Sequence, residues 1–409
     1  MVIKSRGRCR PRGYLSANKG KWNHEPHPRI APLPLIFANH KKGILPDHMV
    51  AALAKDGAIL HARELDSDQV QPASLDLRLG EVAYRVRASF LPGPHTTVAE
   101  RITELQLHQI GLTDGAVLET GCVYIVPLIE SLALPEDIAG ATNPKSSTGR
   151  LDIFTRVIAD NTRGFDRIKP GYHGPLYVEI SPRTFPVLVR SGSRLSQLRL
   201  RRGNALLDAD ALRAVHAREH LVDDALAEIG EGIAVSVDLS TSLAQRAVGD
   251  KGSLVVGFRA KHHTGVIDVE RRGAYDMGEF WDPIHSRPDR SLILDPGEFY
   301  ILASKEAVQV PPDYAAEMVP FDPLVGEFRV HYAGFFDPGF GHAAAGGRGA
   351  RAVLEVRSRE VPFILEHGQT VGRLVYEKML ERPAALYGTR VGSSYQGQGL
   401  KLSKHFRTE

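Results

Sequence analysis

The strongest constraint on the fold is an internal repeat. The stretch GCVYIVPLIESLALPEDIAG at residues 121–140 returns as GEFYILASKEAVQVPPDYAA at 297–316. PGYHGPLYVEIS (170–181) returns as PGFGH (338–342) and, after an insertion, RAVLEVRS (351–358). FPVLVRSGSRLSQLRL (185–200) answers to VPFILEHGQTVGRLVY (361–376), and SLDL (74–77) has a fainter echo in SVDL (236–239). Echoes that keep one order imply two homologous domains, 43–203 and 232–409. Both are written in short alternating runs, such as SLDLRLG (74–80), AYRVRASF (83–90) and CVYIVPLI (122–129), divided by Gly, Pro and Asp. Period-two alternation punctuated by turn residues predicts a mainly β chain.

The segments outside the repeat read differently. GILPDHMVAALAKDG (43–57) predicts a short helix, with Pro46 in its first turn, Met49, Val50 and Leu53 on one face, and Gly57 as its stop. Residues 204–231 predict a helical linker with a stripe of Leu212, Val215, Val222, Leu226 and Ile229. Within it His216, Glu219 and His220 match the H-x-x-E-H spacing of some zinc proteases, but no third ligand is evident. A charged, solvent-facing helix is the better account. Residues 1–42 hold ten Lys or Arg against one acid, Glu25, together with several prolines. Such a segment buries little, and a disordered basic extension is expected. The body is left slightly acidic, so nucleic acid is not an expected partner of it. No run approaches a membrane span. Cys9 and Cys122 are the only cysteines, which supports neither a disulfide framework nor a Cys-based zinc site. The expectation is a cytoplasmic protein.

ATNPKSSTGR (141–150) has the residues of a phosphate grip. It is not a P-loop, because Pro144 precedes Lys145 where G-x-x-x-x-G-K-[ST] requires glycine. Serine hydroxyls, loop N–H groups and a forked guanidinium still suit phosphate oxygens. Its context narrows the reading. QVQPASLDLRLG (69–80), PKSSTGR (144–150), KPGYHGPLYVEI (169–180) and SSYQGQGLKLSKHF (393–406) follow one another in this order. Together they resemble the dCTP deaminase family, in its long, duplicated bacterial form, within the dUTPase-like superfamily.

That resemblance implies tandem dUTPase-like β-barrels of the β-clip kind, joined by the helical linker. It implies conversion of dCTP and water to dUTP and ammonia, which feeds dUMP and dTMP synthesis. Lys145, Ser146, Ser147 and Arg150 would hold the triphosphate, with Mg2+ carried by the nucleotide. Asp337 would accept the sugar hydroxyl, Ala333 would lie near the base, and Tyr395, Gln398 and Lys401 would belong to a C-terminal lid. One carboxylate near the ring can relay protons both ways. The H-x-E and P-C-x-x-C signature of zinc deaminases is absent from the sequence, so a zinc-free route is expected.

The repeats offer two glutamates for that task, Glu179 in LYVEIS and Glu355 in AVLEVRS. Repeat 1 keeps the phosphate loop, whereas repeat 2 has FDPLVG (321–326) in its place. Repeat 2 keeps FFDPGFG (335–341), whereas repeat 1 has Lys169 in place of the aspartate. One composite site is the simplest reading, and it favours Glu355. TGVIDVERRG (264–273) is similar to the uracil hairpin of dUTPases, with Asp268 as its carboxylate, but it stands at the wrong place in the repeat. A strand and turn is the expectation there. A dUTP pyrophosphatase, a bifunctional enzyme and a non-catalytic nucleotide sensor are the alternatives, and a homo-oligomer is expected. Truncation after Gly392 is expected to weaken dCTP binding and to leave the fold intact.

Overall fold

The computed structural model describes residues 41–224, 226–240, 255–320, 328–331, 334–358, 360–389 and 395–407. The expected disordered arm, apart from Lys41 and Lys42, and the FDPLVG loop lie outside these residues.

The chain is mainly β, and the repeat reappears as strand order. In the first half one sheet runs Ile153–Ala159, His173–Pro182, Val123–Ala133, Val82–Val86, Gln106–Gly111. The second half answers with Phe328–His331, Ala350–Ser358, Tyr300–Val308, Val255–Ala260, Trp281–His285. A second sheet runs Arg167–Ile168, Ile138–Pro144, Arg194–Arg202, Ser74–Arg78, Val70–Gln71. Its counterpart runs Phe335–Phe336, Tyr314–Pro320, Thr370–Lys378, Gly232–Ser236, Ile229–Gly230. The small pair Ala116–Leu118 with Val187–Val189 matches Ser291–Leu294 with Phe363–Glu366. The three longer echoes therefore fall on elements in matching places, whereas the fainter one does not: Ser236 stands where Arg78 does, and SVDL (236–239) runs past the end of its strand.

The halves share a core. Leu75, Val126, Val178 and Leu198 of the first half belong to one apolar cluster with Phe258, Trp281, Phe299 and Val353 of the second. Phe185 packs edge-on against Trp281, with ring centroids 5.5 Å apart. A cluster proper to the second half holds Leu302, Leu354, Val356 and Leu374.

The first helix spans Asp47–Lys55 with Met49, Val50 and Leu53 buried, and Pro46 stands one place earlier than expected, at the cap. Gly57 ends this region at φ +78°, a conformation that glycine adopts without a Cβ clash. The expected linker helix is shorter than its stripe. It covers Ala209–Glu219 and stops because His220 turns left-handed, at φ 50°. Val222 then bridges to Val308, Leu226 is exposed, and Ile229 opens a strand. His216 and His220 are thus not stacked on one helical face, and no metal-competent cluster of His, Cys, Asp or Glu exists among the described residues. No described helix is long and apolar enough to cross a membrane.

The C-terminal tail departs from expectation. Leu400, Leu402 and Phe406 are buried in the shared core, and Phe406 sits 5.9 Å from Trp281 between ring centroids. Removing the tail would uncover that apolar surface, so truncation after Gly392 is expected to destabilise the fold rather than to leave it intact.

Candidate active site

The serine-rich loop lies where the halves meet. Strand Ile138–Pro144 ends at a residue without an N–H, and the chain makes one helical turn, Ser146–Gly149. Ser147 and Arg150 are buried against the other half. Across from them, strand Ala350–Ser358 alternates. Leu354 and Val356 enter the second half's own core, while Val353 joins the shared core and Glu355 and Arg357 meet residues of the first half. Arg357 Nε donates to Asp152 Oδ2 at 3.1 Å, which pins this strand beside the loop.

Arg150 gathers three parts of the molecule. Its Nη2 donates to Gln398 Oε1 at 3.0 Å and its Nη1 to the Lys401 carbonyl at 2.9 Å. The guanidinium carbon lies 3.9 Å from the centre of the Tyr395 ring, a cation–π contact. Its Nε has no hydrogen-bond partner and faces Glu355 Oε1 at 3.9 Å, too far for a hydrogen bond. Glu355 is 5 % exposed, and burial pushes its carboxyl up to about 8, opposed by the Arg150 guanidinium. A carboxyl poised in this way can both take and return a proton near neutral pH.

Asp337 follows the short strand Phe335–Phe336 and is also buried. Burial raises its carboxyl, and Arg199 works against that shift. Arg199 Nη2 lies 3.1 Å from Asp337 Oδ1, Nη1 donates to the Ala316 carbonyl at 3.0 Å, and the guanidinium stacks 4.0 Å from the Phe335 ring centre. Sequence reasoning missed Arg199. Its signal was faint: Leu198 and Leu200 are buried in the shared core, so Arg199 points away from it, onto Asp337 of the second half. Arg199→Ala would leave Asp337 buried without its partner. A loss of about 3–5 kcal/mol in stability is expected, measured by urea unfolding. An unchanged midpoint would contradict this role.

A cavity of about 430 Å³ opens between these groups. Lys145, Ser146, Ser147 and Arg150 line it from the first half, and Asp337, Glu355, Tyr395 and Gln398 from the second. Lys145 pairs with Asp76 of strand Ser74–Arg78, another partner not foreseen in the sequence. The remaining expected residues divide. Lys401 meets Arg150 through its carbonyl and does not line the cavity. Ala333 lies outside the described residues. Glu179 is not brought to the cavity: its Oε1 accepts from Arg156 Nη2 at 2.7 Å and Nε at 3.1 Å. Arg156 is itself stacked 3.5 Å from the Phe165 ring centre, so this glutamate is held within the first half. Lys169 lines a separate hollow of about 260 Å³ with Arg167 and Arg201.

The TGVIDVERRG segment contains the expected strand, but it does more than turn. Ile267–Asp268 pairs in parallel with Val187–Val189 of the first half. Arg190 grips both Asp268 oxygens, at 2.8 and 3.0 Å. The residues after it, Val269, Glu270 and Arg272, reach the cavity wall.

Comparison with known proteins identifies the family. The profile of the 2'-deoxycytidine 5'-triphosphate deaminase (DCD) N-terminal domain matches residues 41–204, and that of the C-terminal domain matches 208–406. The crystal structure of 2'-deoxycytidine 5'-triphosphate deaminase from Agrobacterium tumefaciens is 62 % identical, with a TM-score of 0.78, covering 83 % of this chain and 99 % of that one. A dCTP deaminase of Halorubrum lacusprofundi is 31 % identical over 36 % of this chain and 70 % of its own length. A dUMP-forming dCTP deaminase of a Parafrankia species is 33 % identical over 32 % of this chain and 63 % of its own.

Proposed function

The chain belongs to the dCTP deaminase family, and on that premise we propose that it hydrolyses dCTP to dUTP and ammonia in the cavity between its halves. The observation that carries the reading is the meeting of the 145–150 loop with Asp337 and Glu355 under the tail. Residues 43–203 and 232–409 are then two dUTPase-like barrels joined by 204–231, and the matching strand orders support that division.

In this reading Ser146, Ser147 and Arg150 hold the triphosphate. Lys145 exchanges its pairing with Asp76 for phosphate. Mg2+ enters as part of the substrate. Asp337, fixed by Arg199, accepts from the sugar hydroxyl. Glu355 takes a proton from water as the oxygen adds to C4 of cytosine. It passes that proton to N3 and then carries the proton of the new C4 hydroxyl to the amino nitrogen; the C4–N bond breaks, and ammonia leaves with C4 as a carbonyl and N3 protonated. The buried setting keeps bulk water from competing for these protons.

Some relatives carry dUMP-forming names, and the alternative here is release of dUMP. Asp268, the carboxylate of the uracil-hairpin likeness, is occupied by Arg190 on both oxygens, which favours the deaminase alone. The test is to incubate the protein with dCTP and with dUTP and to measure ammonia and pyrophosphate. Ammonia from dCTP without pyrophosphate is the expected result. Pyrophosphate from dUTP would support the alternative, and neither product would overturn the proposal.

A further inference from the structure

We infer that Arg272 and Lys404 form an outer phosphate clamp, carried by the 267–275 segment and the tail, which makes the site selective for a triphosphate. The inference rests on the deaminase reading and adds residues to it. Both side chains line the cavity on the side of Lys145 and Ser147. No salt bridge engages the Arg272 guanidinium or the Lys404 ammonium among the described residues, while the neighbouring cations Lys145 and Arg194 both have carboxylate partners.

Their backbones are fixed to one another. The Gly273 amide donates to the Lys404 carbonyl at 3.0 Å, and the Ala274 amide donates to that of His405 at 2.9 Å. His405 Nε2 meets the Val269 carbonyl at 2.9 Å. Segment and tail are then anchored to the first half at three points. Arg190 holds Asp268, the Ser193 hydroxyl donates to Glu270 Oε1 at 2.6 Å, and the Ser403 hydroxyl donates to the Ser147 carbonyl at 2.9 Å. The last contact sets Lys404 one residue from the serine loop.

Arg272, Lys404 and Lys145 repel one another across the cavity. Burial, then Lys145 and Arg272, push the Lys404 ammonium down to about 8, against the opposing pull of Asp76 and Glu270. An anion between them relieves that repulsion, and the group of a nucleotide that extends beyond Ser146 and Ser147 is its terminal phosphate. A diphosphate leaves the clamp unfilled. The segment that resembles a catalytic hairpin is, on this account, the mount for a specificity residue.

The experiment compares Arg272→Ala, Arg272→Lys and Lys404→Ala with the wild type, using dCTP and dCDP as substrates. The alanine variants should raise KM for dCTP roughly tenfold or more while kcat changes little, since a charge-assisted contact is lost from binding. KM for dCDP should move much less, so the preference for dCTP over dCDP collapses. Arg272→Lys should recover part of the affinity, because charge is kept and the fork is lost. An unchanged KM for dCTP overturns the clamp, and so does an equal rise for dCTP and dCDP, which marks a structural role. Wild-type protein without any dCTP turnover would instead remove the deaminase reading itself.

Discussion

Glu355→Gln is expected to lower kcat for dCTP by about 10³-fold, within the range for loss of a proton-transfer group, while dCTP still binds. The amide fills the same space, but it can neither accept a proton from water nor pass one to the leaving nitrogen. Glu179→Gln should keep most of the turnover, because its partner is Arg156 and it does not line the cavity. A second consequence follows from burial. The Glu355 carboxyl is raised from its ordinary 4.5 to about 8 in the folded chain. Between those values the folded state holds a proton that the unfolded state has released. Its contribution to stability is therefore full below about pH 4.5 and is lost as pH rises through 8. Glutamine does not ionise, so the variant should melt above the wild type in alkaline buffer and close to it in acid. Thermal unfolding on either side of this window checks the sign, and equal melting differences on both sides would contradict it.

Arg150→Ala is expected to have a comparable effect, a fall of about 10²–10³-fold or more in kcat/KM for dCTP. The side chain is a forked donor for phosphate, the anchor of Gln398 and Lys401, and the cation nearest Glu355. Its removal also takes away the main opposition to burial at Glu355, so the carboxyl moves further upward. Arg150→Lys should recover little, since a lysine ammonium does not reproduce the planar fork or its stacking on Tyr395. Steady-state kinetics on both variants decides the matter. A kcat/KM within a few-fold of wild type would mean that Arg150 does not hold the substrate.

Much of this was legible in the sequence because strands repeat with their neighbours. The LYVEIS and AVLEVRS echo placed Glu179 and Glu355 on corresponding strands. The unequal wear of the two copies pointed to a site shared between halves, and one cavity is lined by Ser146, Ser147 and Arg150 from the first and by Asp337 and Glu355 from the second, though not by Lys401. What escaped were contacts between residues far apart in sequence, across the halves or within one of them. Nothing near Arg199 in sequence announces Asp337, and nothing near Lys145 announces Asp76. The tail differs for another reason. The resemblance implied a lid separable from the fold, yet Leu400, Leu402 and Phe406 are buried in the shared core. The helix end at His220 carried no glycine, so the left-handed turn that stops it left no mark in the sequence.

The central claim is one nucleotide site made from both halves, and a crystal structure of Glu355→Gln with dCTP tests it most directly. The account predicts the triphosphate on residues 145–150, the sugar at Asp337, and C4 of cytosine within one water of residue 355. A nucleotide bound instead beside Glu179 and Arg156, with the 145–150 loop empty, would contradict it.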